Sequence, residues 1–167
     1  MYRTIEEFDE AWGRESTLTL KILKSLTDES LSQAVAEGHR TLGRLGWHLV
    51  TTIVEMAAHL GIKVEGVDPE SKPPAEAQAI VDAYFDVTRN VADKIKSEWN
   101  DQMLDAEVEV YGQKWKRSFG LLSTVQHQIH HRGQMSVLMR QAGLRVPSLY
   151  GPAKEDWAQM GMEPPAV

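Results

Sequence analysis

His127 and His131 stand four residues apart, and on a helix that separation lets two imidazoles share one point. At 3.6 residues per turn the pair stacks on one face, so the ring nitrogens can converge on a single cation. A further ligand has to come from another segment. The candidate is His48, which lies between Trp47 and Leu49 in a run that reads as the core side of a second helix. Three neutral imidazoles suit a borderline divalent ion such as zinc, nickel, cobalt or iron. Three protein ligands leave one coordination position open, the arrangement of a metal that acts on a bound water or thiol. Histidines four apart also arise by chance, and a histidine near a core is often a hydrogen-bonded structural residue. Spacing alone therefore leaves both readings open.

The neighbours of these histidines divide by helical position. Gln134 falls nearly on the stripe of His127 and His131 and can hydrogen-bond a bound group. His130 is about 100° round the helix from His131 and reads as a polar or interface residue. Arg132 points elsewhere and suits a carboxylate that fixes two helices together. On the second helix Thr52, Glu55 and His59 share the stripe of His48. Glu55 is two turns on, about 10 Å along the axis. That excludes ligation beside His48 and leaves either a proton-transfer role at the pocket or a salt-bridged, solvated carboxylate. Tyr150 and Trp157 are candidates to close the pocket from the tail. There is no His-Glu-x-x-His run and no pair of Glu-x-x-His motifs, so neither a zincin-type protease nor a carboxylate-bridged dimetal centre fits.

These residues need helices to hold them, and the sequence supplies four long ones. Thr4 and Glu7 form a capping-box pattern that opens the first, with Ile5, Phe8, Trp12, Leu23 and Leu26 at helical spacing. It should stop near Thr27 and Asp28, which can cap a short helical turn over 29–36. The second spans about 41–60, with Leu42, Leu45, Leu49, Ile53, Met56 and Leu60 on its apolar side and Gly61 as its stop. The loop 62–74 is rich in Gly and Pro, and Pro73 or Pro74 suits the first turn of the next helix. The third helix, about 75–99, steps through Ile80, Tyr84, Val87, Val91, Ile95 and Trp99. Residues 102–117 alternate polar and apolar around Tyr111-Gly112-Gln113 and read as a small hairpin or extended link. The fourth helix, 118–143, carries Phe119, Leu122, Val125, Ile129, Val137 and Met139 on several sides, the pattern of a central helix. A tail with a short helix near 154–160 should wrap the body. The expectation is one all-α domain over 1–167, a four-helix bundle with a long connection between helices three and four.

Composition narrows the function. The chain has 167 residues, no cysteine, 42% hydrophobic residues and a formal net charge of −6. It has no thiolate ligand, disulfide or cysteine nucleophile of its own, which suits a cytoplasmic protein. No run reaches the roughly 18 apolar residues of a membrane span, and the acidic N-terminus is not a signal peptide. Lys114, Lys116 and Arg117 are the only basic cluster, too short for a nucleic-acid surface.

The stretch His127-Gln128-Ile129-His130-His131-Arg132-Gly133-Gln134 resembles the signature of the DinB-like family, the YfiT-type metalloenzymes. His48 within Gly46-Trp47-His48-Leu49-Val50 and the closing Val146-Pro147-Ser148-Leu149-Tyr150-Gly151 agree with that resemblance. It implies a four-helix bundle of up-down-down-up character and a metal triad of His48, His127 and His131, usually around zinc or nickel. It also implies a homodimer, which surplus apolar surface on helices one and three would help. Some relatives are thiol-dependent enzymes, namely S-transferases using bacillithiol or glutathione and mycothiol-dependent maleylpyruvate isomerases. The leading expectation is therefore a metal-dependent transferase acting on a small molecule with a low-molecular-weight thiol as cosubstrate. Metal-dependent hydrolysis is the second reading, and a non-catalytic stress-response module with a structural metal the third. The family name does not imply the translesion DNA polymerase that shares it.

Overall fold

The computed structural model describes residues 1–166. Four long helices form the body: α1 (Ile5–Leu23), α2 (Leu42–His59), α3 (Ala77–Glu98) and α4 (Arg117–Gln141). α1 and α2 each pack against both α3 and α4. A two-stranded antiparallel sheet, β1 (Glu107–Val110) and β2 (Gln113–Lys116), lies between α3 and α4. The fold is thus mostly helical, and the hairpin falls inside the 102–117 segment where the alternation predicts it.

The local chemistry that starts and stops each helix is visible. Thr4 caps α1, its hydroxyl accepting from the Glu7 backbone N–H at 3.1 Å. The Glu7 carboxylate reaches back to Arg3 N at 2.8 Å instead of Thr4 N, so the expected box closes one residue earlier. α1 ends at Leu23, four residues before the expected stop, and the turn that follows is a 3-10 segment, Glu29–Ser32. Asp28 does not cap that segment; its Oδ1 accepts from Ala77 N at 2.7 Å and so caps α3. Thr41 caps α2 by accepting from Arg44 N at 3.2 Å. Gly61 ends α2 at φ +85, where a side chain would be strained. Pro73 and Pro74 lie before α3, not in its first turn, because Glu76 is its N-cap. In the hairpin Tyr111 and Gly112 both take positive φ, 50 and 75, the pattern of a type I′ turn.

The core runs the length of the body. Phe8, Trp12 and Ile22 of α1, Leu49 and Ile53 of α2, Ile80, Tyr84 and Ile95 of α3, and Met135 and Met139 of α4 are buried. Each such side chain contributes about 1.5–3 kcal/mol of burial. α4 is not apolar all round as the sequence suggested. Phe119, Ile129 and Val137 are exposed, while Gln128 and Arg132 are fully buried. The surplus apolar surface therefore lies on α4, with Phe85 on α3, and not on α1, whose large apolar residues face inward.

The buried polar side chains of α4 reach partners across the body, although Gln128 Nε2 and Arg132 Nε have none among the described residues. Arg132 is 1% exposed and forms an ion pair with Glu15 of α1. Arg132 also donates to Glu15 O at 2.7 Å and Thr19 Oγ1 at 3.0 Å. The Tyr150 hydroxyl joins both charges from the tail. Burial alone would raise the Glu15 carboxyl, but hydrogen bonds from Tyr150 and Arg132 hold it below its usual range. Gln128 Oε1 accepts from the Tyr84 hydroxyl and from Thr19, joining α4 to α3 and α1.

Removing one member of a buried ion pair strands the other. Glu15→Ala should cost about 3–5 kcal/mol in urea unfolding, and adding Arg132→Met should recover part of that loss. A double variant no more stable than Glu15→Ala would show that the pair is not what registers α4 on α1.

Candidate metal centre

α2 and α4 lie side by side and carry three histidines to their shared face. The imidazole centroids of His48 lie 5.0 Å from His127 and 4.8 Å from His131, and those of His127 and His131 are 4.3 Å apart. One nitrogen from each ring lies within 4.8 Å of the other two. Two nitrogens bound to one ion at about 2.1 Å stand about 3.4 Å apart in a tetrahedron. His127 Nε2 and His131 Nε2 are 3.0 Å apart, so that pair needs to open by only about 0.4 Å to take this spacing. The residues fit a divalent ion, and three His can hold one. Among the described residues no carboxylate or further histidine joins the group.

Two neighbours fix which nitrogen faces the centre. Gln134 Oε1 is 2.7 Å from His131 Nδ1. A carbonyl oxygen only accepts, so Nδ1 carries the hydrogen and the lone pair of His131 falls on Nε2. Thr52 Oγ1 lies 3.2 Å from His48 Nδ1 and engages that nitrogen, which leaves Nε2 for the centre. Burial then keeps the rings neutral. It lowers His48 to about 3, helped by the Arg40 charge, and His127 to about 4, helped by His131. His131 is lowered by burial against the opposing hydrogen bond of Gln134. Neutral imidazole is the form that binds a metal ion.

A cavity of about 630 Å³ opens beside the triad. His131 and Gln134 form part of its wall, with Leu45 and Leu138 behind them and His39 and Arg40 at the approach to α2. The sequence reading missed His39 and Arg40. Their signal was position only, two basic residues directly before the Thr41 cap and within three turns of His48.

The structure does not bring the other candidates to this centre. Glu55 accepts from the Tyr111 hydroxyl at 2.9 Å, at the hairpin end of α2, and its carboxylate is outside the cavity wall. His59 meets the same Tyr111 edge to face, centroids 5.0 Å apart. His130 lies against His131 and lines the cavity without joining the ligand group. Tyr150 turns away to Glu15 and Arg132, and Trp157 lies in the tail, so neither closes the pocket.

The family model described as the DinB family matches residues 1–165. The chain belongs to the DinB family. It is 41% identical to the protein YrdA of Bacillus subtilis (strain 168), over 100% of both chains. It is similar to the crystal structure of a DinB-like protein from Bacillus cereus ATCC 10987, 45% identical, with a TM-score of 0.86 over 90% of this chain and 100% of that one. A DinB-like protein of Bacillus subtilis, YjoA, shares the fold with a TM-score of 0.67 at 17% identity, over 88% of this chain and 99% of that one.

The depressed imidazoles make stability depend on pH in a stated direction. Unfolded histidine takes up a proton near pH 6.5, roughly, whereas the folded triad does so only at lower pH. The unfolded state therefore binds more protons below that point, and stability falls as pH falls from about 6.5 toward 4. The melting temperature of chelator-treated protein should drop across this window, and His48→Gln should flatten part of the drop. A melting temperature unchanged between about pH 6.5 and 4.5 would contradict buried neutral imidazoles.

Proposed function

We propose that this DinB-family protein is a metal-dependent S-transferase that joins a low-molecular-weight thiol to a small electrophile. His48, His127 and His131 hold a zinc or nickel ion on the shared face of α2 and α4, in a four-helix bundle. The observation that carries this reading is the meeting of three neutral imidazoles, one of which, His131, lines a 630 Å³ cavity, in a chain without cysteine. When bound, the ion acidifies a coordinated thiol so that it is present as the nucleophilic thiolate at neutral pH.

The chain's own residues do the rest. Gln134 and Thr52 hold the imidazoles so that the remaining nitrogens point inward. Leu45 and Leu138 keep one side of the cavity apolar and limit water. The nucleophile has to be brought in, because no cysteine can supply it. In the transfer, sulfur bonds to carbon as the leaving group departs with its electron pair. Hydrolysis is the second reading: no Asp or Glu is among the cavity's lining residues, so the proton of an attacking water would pass to a lining histidine, His39 or His130. A purely structural ion is weaker still, because no fourth protein ligand joins the triad among the described residues.

No helix among the described residues is long and apolar enough to cross a membrane, and a cytoplasmic setting with abundant thiol suits the reaction. Exposed Phe119, Ile129 and Val137 on α4 support a homodimer.

Purified protein should carry about one zinc or nickel per chain, and the metal should raise its melting temperature. His127→Ala should lose both the metal and thiol-dependent turnover of an alkyl or aryl halide. Metal retained by His127→Ala would remove the triad, and turnover without any thiol would replace transfer by hydrolysis.

A further inference from the structure

We propose that the cavity beside the triad takes a small amphipathic carboxylate, with Arg40 binding the anionic head and Val35, Leu45, Val137 and Leu138 covering an apolar body. This rests on the function proposed above in that it names the class of small molecule brought to that site.

The volume comes first. About 630 Å³ is far more than a water or a bare inorganic anion needs, and it lies within the range of small-molecule sites, about 300–1,000 Å³. Buried Leu45 of α2 and Leu138 of α4 and the more exposed Val35 and Val137 supply an apolar lining. A wholly polar ligand would leave that lining wet.

The charge comes second. The chain as a whole is acidic, at −6, yet no Asp or Glu is among the residues that line this cavity. Its charged and titratable lining is Arg40, His39, His130 and His131. Arg3, Arg14, Arg132, Arg140 and Arg145 each have a carboxylate partner within 4.0 Å. Arg40, like Arg44, Arg89 and Arg117, has none among the described residues; of these four it alone lines the cavity, and its charge is felt at all three histidines of the triad. A guanidinium with both edges free and no competing carboxylate is the natural bidentate partner of a ligand carboxylate.

The backbone holds this group in place. Ala34 and Thr41 pair as an isolated antiparallel bridge, and Leu42 N donates to Gln33 O at 2.8 Å. Gly38 makes the turn between them at φ +76. The loop that carries His39 and Arg40 is thereby pinned at its base against the start of α2. A ligand anchored there by its head extends along the apolar wall toward Gln134 and His131.

The test is calorimetric titration of the full chain with octanoate, octanamide and acetate, once after chelation and once zinc-loaded. In chelated protein octanoate should bind at least about tenfold more tightly than octanamide, and acetate more weakly than octanoate. Arg40→Gln, an exposed substitution, should abolish the preference for octanoate while leaving octanamide binding unchanged. Arg40→Lys should keep part of it. Equal binding of octanoate and octanamide, or octanoate binding unaffected by Arg40→Gln, would overturn the proposal. So would octanoate binding that requires zinc and ignores Arg40, since the anion would then sit on the ion. Metal analysis of the same samples keeps the readings apart. A protein that binds no metal but shows the Arg40-dependent preference loses the transferase reading and keeps the carboxylate site.

Discussion

Three imidazoles meet here only because α2 and α4 pass each other at one height and one rotation. A helix that slid by a single turn would carry His48 about 5.4 Å away from His127 and His131. The body is built to prevent that slide. Gly120 of α4 lies so close to Leu60, the C-cap of α2, that a Cβ there would come within 2.5 Å of its side chain. Gly46 on α2 lets Leu23 and Ile80 approach within 3.3 Å of where its Cβ would be. Both contacts leave little room for another register.

The second restraint is polar. Gln128 and Arg132 repeat every four residues on α4, as do His127 and His131, one position back. The eight-residue signature thus serves two faces. His127, His131 and Gln134 look toward α2 and the cavity, while Gln128 and Arg132 reach through the core to Tyr84, Thr19 and Glu15. A buried guanidinium is costly without a partner. The rotation of α4 that pairs Arg132 with Glu15 also presents the histidines to His48, so the structural half of the motif orients the half that binds.

How far this could be read in advance follows from the range of each interaction. The cap at Thr4, the stop at Gly61 and the alternation in 107–116 are local, and they appear where the sequence predicts them. The helical pairing of His127 with His131 is local too. That His48 joins them depends on tertiary packing, and there the family signature carried what periodicity could not. Glu15 as the partner of Arg132, 117 positions away, had no local signal. The same holds for Asp28, whose expected cap on its own segment gave way to a cap on α3. Glu55 was placed on the correct stripe but two turns out, and the hairpin's Tyr111 claims it. Arg40 was invisible because loop residues gain meaning only when a fold closes a cavity against them.

The central claim is that nitrogen from His48, on one helix, shares an ion with nitrogen from His127 and His131 on another. X-ray absorption at the edge of zinc bound to the intact chain reads that shell directly. The account predicts three imidazole nitrogens at about 2.0–2.1 Å, falling to two in His48→Gln. A shell of carboxylate oxygens, or a spectrum that His48→Gln leaves unchanged, would contradict it.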